Sequence, residues 1–295
     1  MPQVSDYTAA LVFNGPNQIY VAASGDSKSM TRTVMEDSFS FAKVFNVKSP
    51  EYGATGDGVT DDTTAFQAAM DAAASAASTA LATGPSIVYV PEGKYVMGQI
   101  THKDLVIVRG AGIQSTELFA KDNLNDDFIK SDGFDTLTGQ NKWFRADGVL
   151  TYIGFQELRI NGNKSNQTTG DGVKFYAKGL FINNVVIEDC KGNGLYTEAG
   201  VSAGSSSWDT LTQGSTGPLW LIRNDGHAWH HRGPHDMKAG RVHIITAENH
   251  GLFMESSSTY LSTMDIDMLT SVNNGNASGF EGNALRLSGP GTIIR

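Results

Sequence analysis

YGATGDGVTDDTTAFQAAMDAAASAASTAL, Tyr52–Leu81, and GPSIVYVPEGKYVMG, Gly84–Gly98, decide how the rest of the chain is read. The first stretch is a glycine-rich loop running into a helix. Thr60, Asp61 and Asp62 place N-cap oxygens and negative charge where the first backbone N–H groups lack an internal partner. Alanine then dominates from Ala65 to Ala82, and Phe66, Met70, Ala73, Ala77 and Leu81 recur at helical spacing as one apolar stripe. Gly84 and Pro85 stop the helix. The second stretch is a strand, a Pro-Glu-Gly turn and another strand. A helix faced with so many small side chains lies close against what covers it, and the covering object is the β-rich remainder.

That remainder repeats. Val185-x-Ile187 with Gly194-Leu195-Tyr196 recurs as Val242-x-Ile244 with Gly251-Leu252-Phe253, and again as Ile266-x-Met268 with Gly275. Val242 and Ile266 are 24 residues apart, a fitting length for one coil of short strands and turns, and Leu158-x-Ile160 begins a rung 27 residues before Val185. The 57 residues from Val185 to Val242 hold two coils plus an insertion, assigned to Gly200–Gly217, which carries Trp208. Val185, Ile187, Val242, Ile244, Ile266 and Met268 are expected to point into one core, with Val242 stacked on Ile266. Asn183, Asn184, Asn249, Asn273, Asn274 and Asn276 fall at turns, where asparagine tolerates left-handed geometry and its amide bonds neighbouring coils.

YGATGDGVTDDTTAFQAA followed by IVYVPEGKY resembles the N-terminal signature of the pectate lyase-like superfamily. The resemblance covers residues 46–295 and implies an all-β fold, a single-stranded right-handed parallel β-helix with an N-terminal capping α-helix over the first coil. The motif is specific for fold and uninformative for function, since lyases, hydrolases, epimerases and phage tailspikes share it. Residues 1–45 form a separate head. There Leu11–Phe13 and Gln18–Ala23 read as strands around an Asn-Gly-Pro-Asn turn, and FSFAKVF alternates with period two. The head resembles a particle-attachment segment, and it reads equally as an extra strand pair.

Composition narrows the partners. A net charge of −9 argues against nucleic acid or an anionic membrane, either of which would want a basic face. Thirty-three glycines and 18% charged residues fit recurrent turns and strands packed on themselves. The single cysteine, Cys190, reads as a buried thiol at a strand end. No signal peptide is visible in residues 1–25 and no run reaches transmembrane length. Release by lysis as part of a phage particle is one route to the exterior. The last residues, Thr292–Arg295, read as a strand without a cap, so either further sequence or a partner chain is expected to cover that edge.

Chemistry concentrates in NDGHAWHHRGPHDMKAGRVHI, Asn224–Ile244. Six of seven histidines fall between His227 and His250, beside Trp229, Arg232, Asp236, Lys238 and Arg241. Imidazoles move protons near neutral pH and guanidinium holds carboxylates, so His230, His231, His235, Asp236 and Arg232 are the candidate catalytic residues. In that arrangement Asp236 orients an imidazole and Arg232 holds the sugar. Trp208 and Trp229, in segments expected to be exposed, are candidate sugar-stacking residues, and Glu248 and Glu255 are candidate carboxylates on neighbouring rungs. Trp220, in LWLI, reads as core, and Trp143 fits either role. The segment reads as well as a polar loop whose imidazoles bond backbone and water. His227-x-x-His230 and His231-x-x-x-His235 invite a metal reading, but side chains alternate on a strand, so neither a metal nor a cofactor is expected. The polygalacturonase set is present only as a fragment, Asn224-Asp225-Gly226-His227.

The reading is therefore a phage tailspike or tail-fibre component, in the virion or otherwise extracellular, that binds host surface polysaccharide, with or without depolymerising it. Its expected partners are that glycan, other tail proteins through residues 1–45, and further copies in a homotrimer. A free bacterial polysaccharide lyase or glycoside hydrolase and a non-catalytic β-helical adhesin or shaft are the alternatives.

Overall fold

The computed structural model describes residues 10–13, 18–23, 26–31, 43–78, 85–137, 152–177, 179–198, 212–233, 235–255, 262–275, 283, 285–288 and 292–294. The chain divides into two compact units, Met1–Lys43 and Val44–Arg295. The first holds a 3-stranded antiparallel sheet of β1 (Ala10–Phe13), β2 (Gln18–Ala23) and β3 (Asp26–Thr31). Ala10 pairs with Ala22 and Gln18 with Thr31. β3, DSKSMT, is too polar to announce itself as a strand in sequence.

The second unit begins with β4 (Val44–Asn46), β5 (Asp57–Asp61) and helix α1 (Thr63–Ser78). It continues with β6 (Ser86–Val90), β7 (Gly93–Met97), β8 (Ile100–His102), β9 (Val106–Gly110), β10 (Thr116–Ala120), β11 (Ile129–Ser131) and a short helix α2 (Phe134–Leu137). There follow β12 (Ile153–Asn161), β13 (Val173–Tyr176), β14 (Gly179–Glu188), β15 (Leu195–Glu198), β16 (Thr212–Thr216), β17 (Leu219–Ile222) and β18 (Trp229–Arg232). The last are β19 (His235–Ile245), β20 (Leu252–Glu255), β21 (Ser262–Val272), β22 (Leu285–Ser288) and β23 (Thr292–Ile294).

Among the described residues all pairings in this unit are parallel, within a 13-stranded and a 7-stranded sheet. Each strand pairs with the equivalent strand one coil away, which is a right-handed parallel β-helix, the usual sense of parallel crossovers. β12, β14, β19 and β21 bend midway, so the 13-stranded sheet forms two faces of the solenoid and the 7-stranded sheet forms the third. At the bends of β12 and β14, Glu157 and Asn184 take φ of 53° and 55°, and Asn184 Nδ2 donates to Glu157 Oε2 at 2.6 Å. The corner asparagine expected from sequence does bridge coils there.

The core is stacked in rows. Val88, Val108, Phe155 and Ile182 line one face, and Tyr95, Leu118, Ile160, Ile187, Leu221 and Ile244 line the second. Ile100, Ile129, Val173, Leu195, Trp229 and Leu252 line the third, each at most 1% exposed. Burying each such side chain contributes roughly 1.5–3 kcal/mol.

The expected rungs hold in part. Leu158 pairs with Val185, and Leu219 takes the intermediate coil between Val185 and Val242. The last register does not hold: Val242 pairs with Leu269 and Ile266 with Ala239. β19 and β21 both bend, so the inward set changes parity midway, and Met268, paired with Arg241, points out and is 47% exposed. The assigned insertion also shortens, because β16 lies within it and pairs with both β14 and β19.

α1 contacts β4, β6, β8 and β9, standing where the first coil would otherwise place a strand of the third face. Phe66, Met70, Ala73 and Ala77 are its buried side, at most 1% exposed, while Leu81 lies outside the described residues. The capping oxygens divide their work. Asp61 Oδ1 accepts the Thr63 N–H at 3.0 Å, whereas Asp62 turns back to accept the N–H groups of Thr55 and Gly56 at 2.7 and 3.0 Å. The glycine loop and the Pro-Glu-Gly turn then lock together: Lys94 N–H donates to Gly56 O at 3.0 Å, and a Cβ on Gly93, at φ +147°, would lie 2.5 Å from that oxygen. Among the described residues no helix is long and apolar enough to cross a membrane.

Candidate functional site

A four-residue unit recurs at the start of the third face: Asp127-Phe128-Ile129-Lys130, Asp171-Gly172-Val173-Lys174, Asn193-Gly194-Leu195-Tyr196, His227-Ala228-Trp229-His230 and His250-Gly251-Leu252-Phe253. Alternation sends the third residue into the core and the fourth outward. Lys174, Tyr196, His230 and Phe253 are thus successive register partners on one outer row. Two residues further on, Glu198, Arg232 and Glu255 form a second outer row.

These rows meet. Tyr196 donates its hydroxyl to Glu198 Oε2 at 2.7 Å, and His230 Nε2 lies 3.2 Å from Glu255 Oε2. Arg232 stands between the glutamates, Nη1 3.9 Å from Glu198 Oε1 and Nε 3.9 Å from Glu255 Oε1, too far for hydrogen bonds. Its Nε is a buried donor with no hydrogen-bond acceptor among the described residues. The Tyr196 and His230 rings meet edge-on at 5.0 Å, and His230 stacks on Phe253 at 4.7 Å. Lys174 closes one end, paired with Asp127 at 3.0 Å and over the rings of Phe134 and Tyr196.

Burial sets the protonation states. It pushes the Tyr196 phenol above its ordinary range, with the Glu198 hydrogen bond adding to the shift and the nearby Arg232 opposing it. It also holds His230 below the ordinary imidazole value, outweighing the opposite pull of Glu255. At neutral pH the phenol keeps its proton and the imidazole is uncharged. Because a carboxylate only accepts, the Nε2 of His230 carries the hydrogen and Nδ1 keeps a lone pair. A base, an acid and a guanidinium therefore share one face.

The sequence expectations separate here. His230, Arg232 and Glu255 come together. His231 does not join them: it points inward, 0% exposed, donating Nε2–H to Gly233 O at 3.0 Å, while Nδ1 accepts from Thr197 Oγ1 at 2.8 Å. Trp229, expected to be exposed, is also 0% exposed and donates Nε1–H to Thr197 Oγ1 at 2.9 Å, so it fills the core instead of stacking on a sugar. Trp220 reverses the other way. Strand alternation buries Leu219 and Leu221 and turns Trp220 outward, half-buried and stacked on His243 at 5.6 Å.

β19 starts a new face, which carries His235 and Asp236 away from His230. Asp236 is exposed there with Gln213 and Thr263 as register partners, so orientation of the imidazole falls to Glu255; the His235 side chain and Trp208 lie outside the described residues. Glu248 sits half-buried in the turn before β20, its charge felt by Lys191. Glu198 is one of the many rung carboxylates visible in the sequence, and Tyr196 carries no signal there beyond sharing a repeat position with Phe253 in Gly194-Leu195-Tyr196 and Gly251-Leu252-Phe253. Among the described residues no group of three or more His, Cys, Asp or Glu side chains is placed to hold a metal ion.

Residues 44–281 match the sequence profile described as Rhamnogalacturonase A/epimerase, pectate lyase-like. The chain belongs to this pectate lyase-like family. Within curated proteins it is 36% identical over 141 residues to alginate lyase 7 of Azotobacter vinelandii, and 33% identical over 130 residues to mannuronan C5-epimerase AlgE5 of the same organism. These matches cover 45% and 41% of this chain but only 14% and 11% of those proteins. Among solved structures, ORF18 of Geobacillus virus E2 aligns with a TM-score of 0.57 at 17% identity, covering 94% of this chain and 54% of that one. The N-terminal fragment of bacteriophage Phi29 gene product 12 aligns at 0.50 with 16% identity, covering 83% and 43%. At those identities the likeness to the two phage proteins is one of fold.

Proposed function

We propose that this pectate lyase-like chain acts on a uronate-bearing polysaccharide by removing the proton at C5, and that it does so as part of a phage tail. The observation that carries the chemistry is the His230–Glu255 pair, set beside Tyr196 and Arg232 on one outer face of the solenoid. Neutral His230 takes the C5 proton through Nδ1, and Glu255 stabilises the imidazolium that forms. Arg232 hydrogen-bonds the uronate carboxylate, into which the carbanion charge spreads. If the C4–O4 bond then breaks, the electron pair leaves on O4 and Tyr196 supplies its proton, giving an unsaturated uronate. If Tyr196 instead gives its proton to the opposite face of C5, the product is the epimer. The matches to an alginate lyase and a mannuronan epimerase support a uronate substrate, and the fold shared with two phage proteins is compatible with a place in a phage particle. In that setting the N-terminal unit, Met1–Lys43, attaches to other tail proteins, and the working form is a homotrimer.

Incubation of the purified full chain with host surface glycans and with polyuronates tests this. Absorbance of unsaturated uronate, reducing ends and the C5 configuration are followed together. Unsaturation or inversion at C5 supports the reading. Reducing ends without either identify a hydrolase, and binding without any product identifies an adhesin.

A further inference from the structure

A row of side chains runs along the turn that precedes the third face, and each accepts the backbone N–H of its equivalent one coil on. Asp127 Oδ1 accepts from Asp171 N–H at 3.0 Å, Asp171 Oδ1 from Asn193 at 2.6 Å, and Asn193 Oδ1 from His227 at 2.9 Å. The row then changes chemistry. His227 Nδ1 accepts from His250 N–H at 3.1 Å, and His250 Nδ1 accepts from Asn283 N–H at 3.0 Å. The two imidazoles stack at 5.2 Å and 15°, and His227 meets His230 edge-on at 5.2 Å. An oxygen acceptor has become an imidazole just where the row passes the proposed base.

We propose that His227 and His250 are positioning residues for His230, holding it against Glu255 only while both imidazoles are uncharged acceptors; this rests on the reading of His230 as the base. The geometry requires it. Accepting at Nδ1 fixes the hydrogen of each ring on Nε2, and protonation at Nδ1 sets a donor against a backbone donor. The side-chain bond from His227 to the next coil is then lost beside His230, while the backbone ladder between β18 and β20 remains. Other groups around the stack are His230 and Glu255 on β18 and β20, Arg232 on β18, Arg286 on β22, Asp171 further along the row, and Glu248 two residues before His250. Burial first, then the neighbouring histidines, holds His227 down to about 4, and burial first, then Arg286, lowers His250, so both rings stay uncharged at neutral pH.

Two readouts on the full-length chain test the proposal. Nitrogen-15 NMR of the histidines needs no activity: His227 is expected as the Nε2–H tautomer through neutral pH, and a protonated or Nδ1–H ring there overturns the proposal whatever the protein acts on. The second is the pH profile of kcat on the turned-over uronan. His227→Asn puts at that position the acceptor that Asn193 already provides in the row; it should keep kcat at neutral pH within about threefold, with the acid limb still set by His230. His227→Ala should lower kcat at least tenfold with KM unchanged. A folded His227→Ala with unchanged kcat and profile overturns the positioning role. Should wild type turn over no uronan, the reading of His230 as a base fails; a neutral Nε2–H His227 would then leave the ring latch standing by itself.

Discussion

His230 Nε2 and Glu255 Oε2 lie 3.2 Å apart on neighbouring parallel strands, although the register sets His230 opposite Phe253 and Glu255 opposite Arg232. Glu255 therefore reaches back along β20 past its own partner. That diagonal contact turns two outer rows of a solenoid into one site, with an imidazole, a guanidinium and a phenol around it. Glu255→Gln keeps the size and removes the charge that would stabilise a protonated His230. Turnover on a uronan should fall at least tenfold, about 1.4 kcal/mol in barrier, with an unchanged thermal midpoint. Steady-state kinetics beside a thermal melt check this.

Arg232 makes no hydrogen bond to either glutamate, and its two 3.9 Å ion pairs, on a side chain that is partly exposed, contribute little to stability. Arg232→Ala should weaken glycan binding or turnover at least tenfold without altering stability. Arg232→Lys should recover only part, because an ammonium cannot meet a carboxylate in two parallel hydrogen bonds. Calorimetric titration with an oligouronate reports the difference.

The two tryptophans whose roles the structure exchanges give a stability test. Trp229→Ala should cost about 3–5 kcal/mol, since it empties a closed core position and takes a donor from Thr197. Trp220→Ala, on the outer face, should cost less than half of that. Urea unfolding of both variants decides it, and equal losses would contradict the assigned faces.

At the other end, Phe66 is buried under the first coil, and Phe66→Ala should likewise lower stability by roughly 3–5 kcal/mol. An unchanged melting transition would show that α1 is not docked there.

Stability should also fall in mild acid. His102 is enclosed by the rings of Phe155 and Phe175, and burial lowers it from 6.5 to about 4 despite the facing carbonyls of Lys103 and Gly154. Between those values the unfolded chain binds a proton that the folded chain does not. Stability therefore drops as pH falls from about 6.5 to about 4, by on the order of 1 kcal/mol per pH unit for such a histidine. Urea midpoints across that window measure the slope, and a flat profile would contradict it.

The fold was legible because its signals are local: a capped alanine helix, a Pro-Glu-Gly turn and apolar pairs at coil spacing. The site was legible only in part. His230 and Arg232 stood out by residue type, but whether a side chain on a strand points in or out depends on where the strand bends. Gly233 and the start of β19 moved Asp236 to another face, and alternation hid His231 and Trp229. The groups that do meet His230 and Arg232 lie a coil away on either side: Glu255, already a candidate carboxylate in the sequence, and Glu198. Only alignment of Asn193-Gly194-Leu195-Tyr196 with His227-Ala228-Trp229-His230 brings those coils into register in sequence. The turn row extends the same lesson, since Asp171, Asn193, His227 and His250 look unrelated until the coils are stacked.

The central claim, proton removal at C5 by His230, is tested most directly in deuterium oxide. A polyuronate is incubated with the full chain and with His230→Gln, and loss of the C5 proton is followed by NMR. Wild type should either place deuterium at C5 or generate the unsaturated residue that has lost that proton, and His230→Gln should do neither at a comparable rate. Chain cleavage with every C5 proton retained, or equal exchange by the two proteins, would contradict the account.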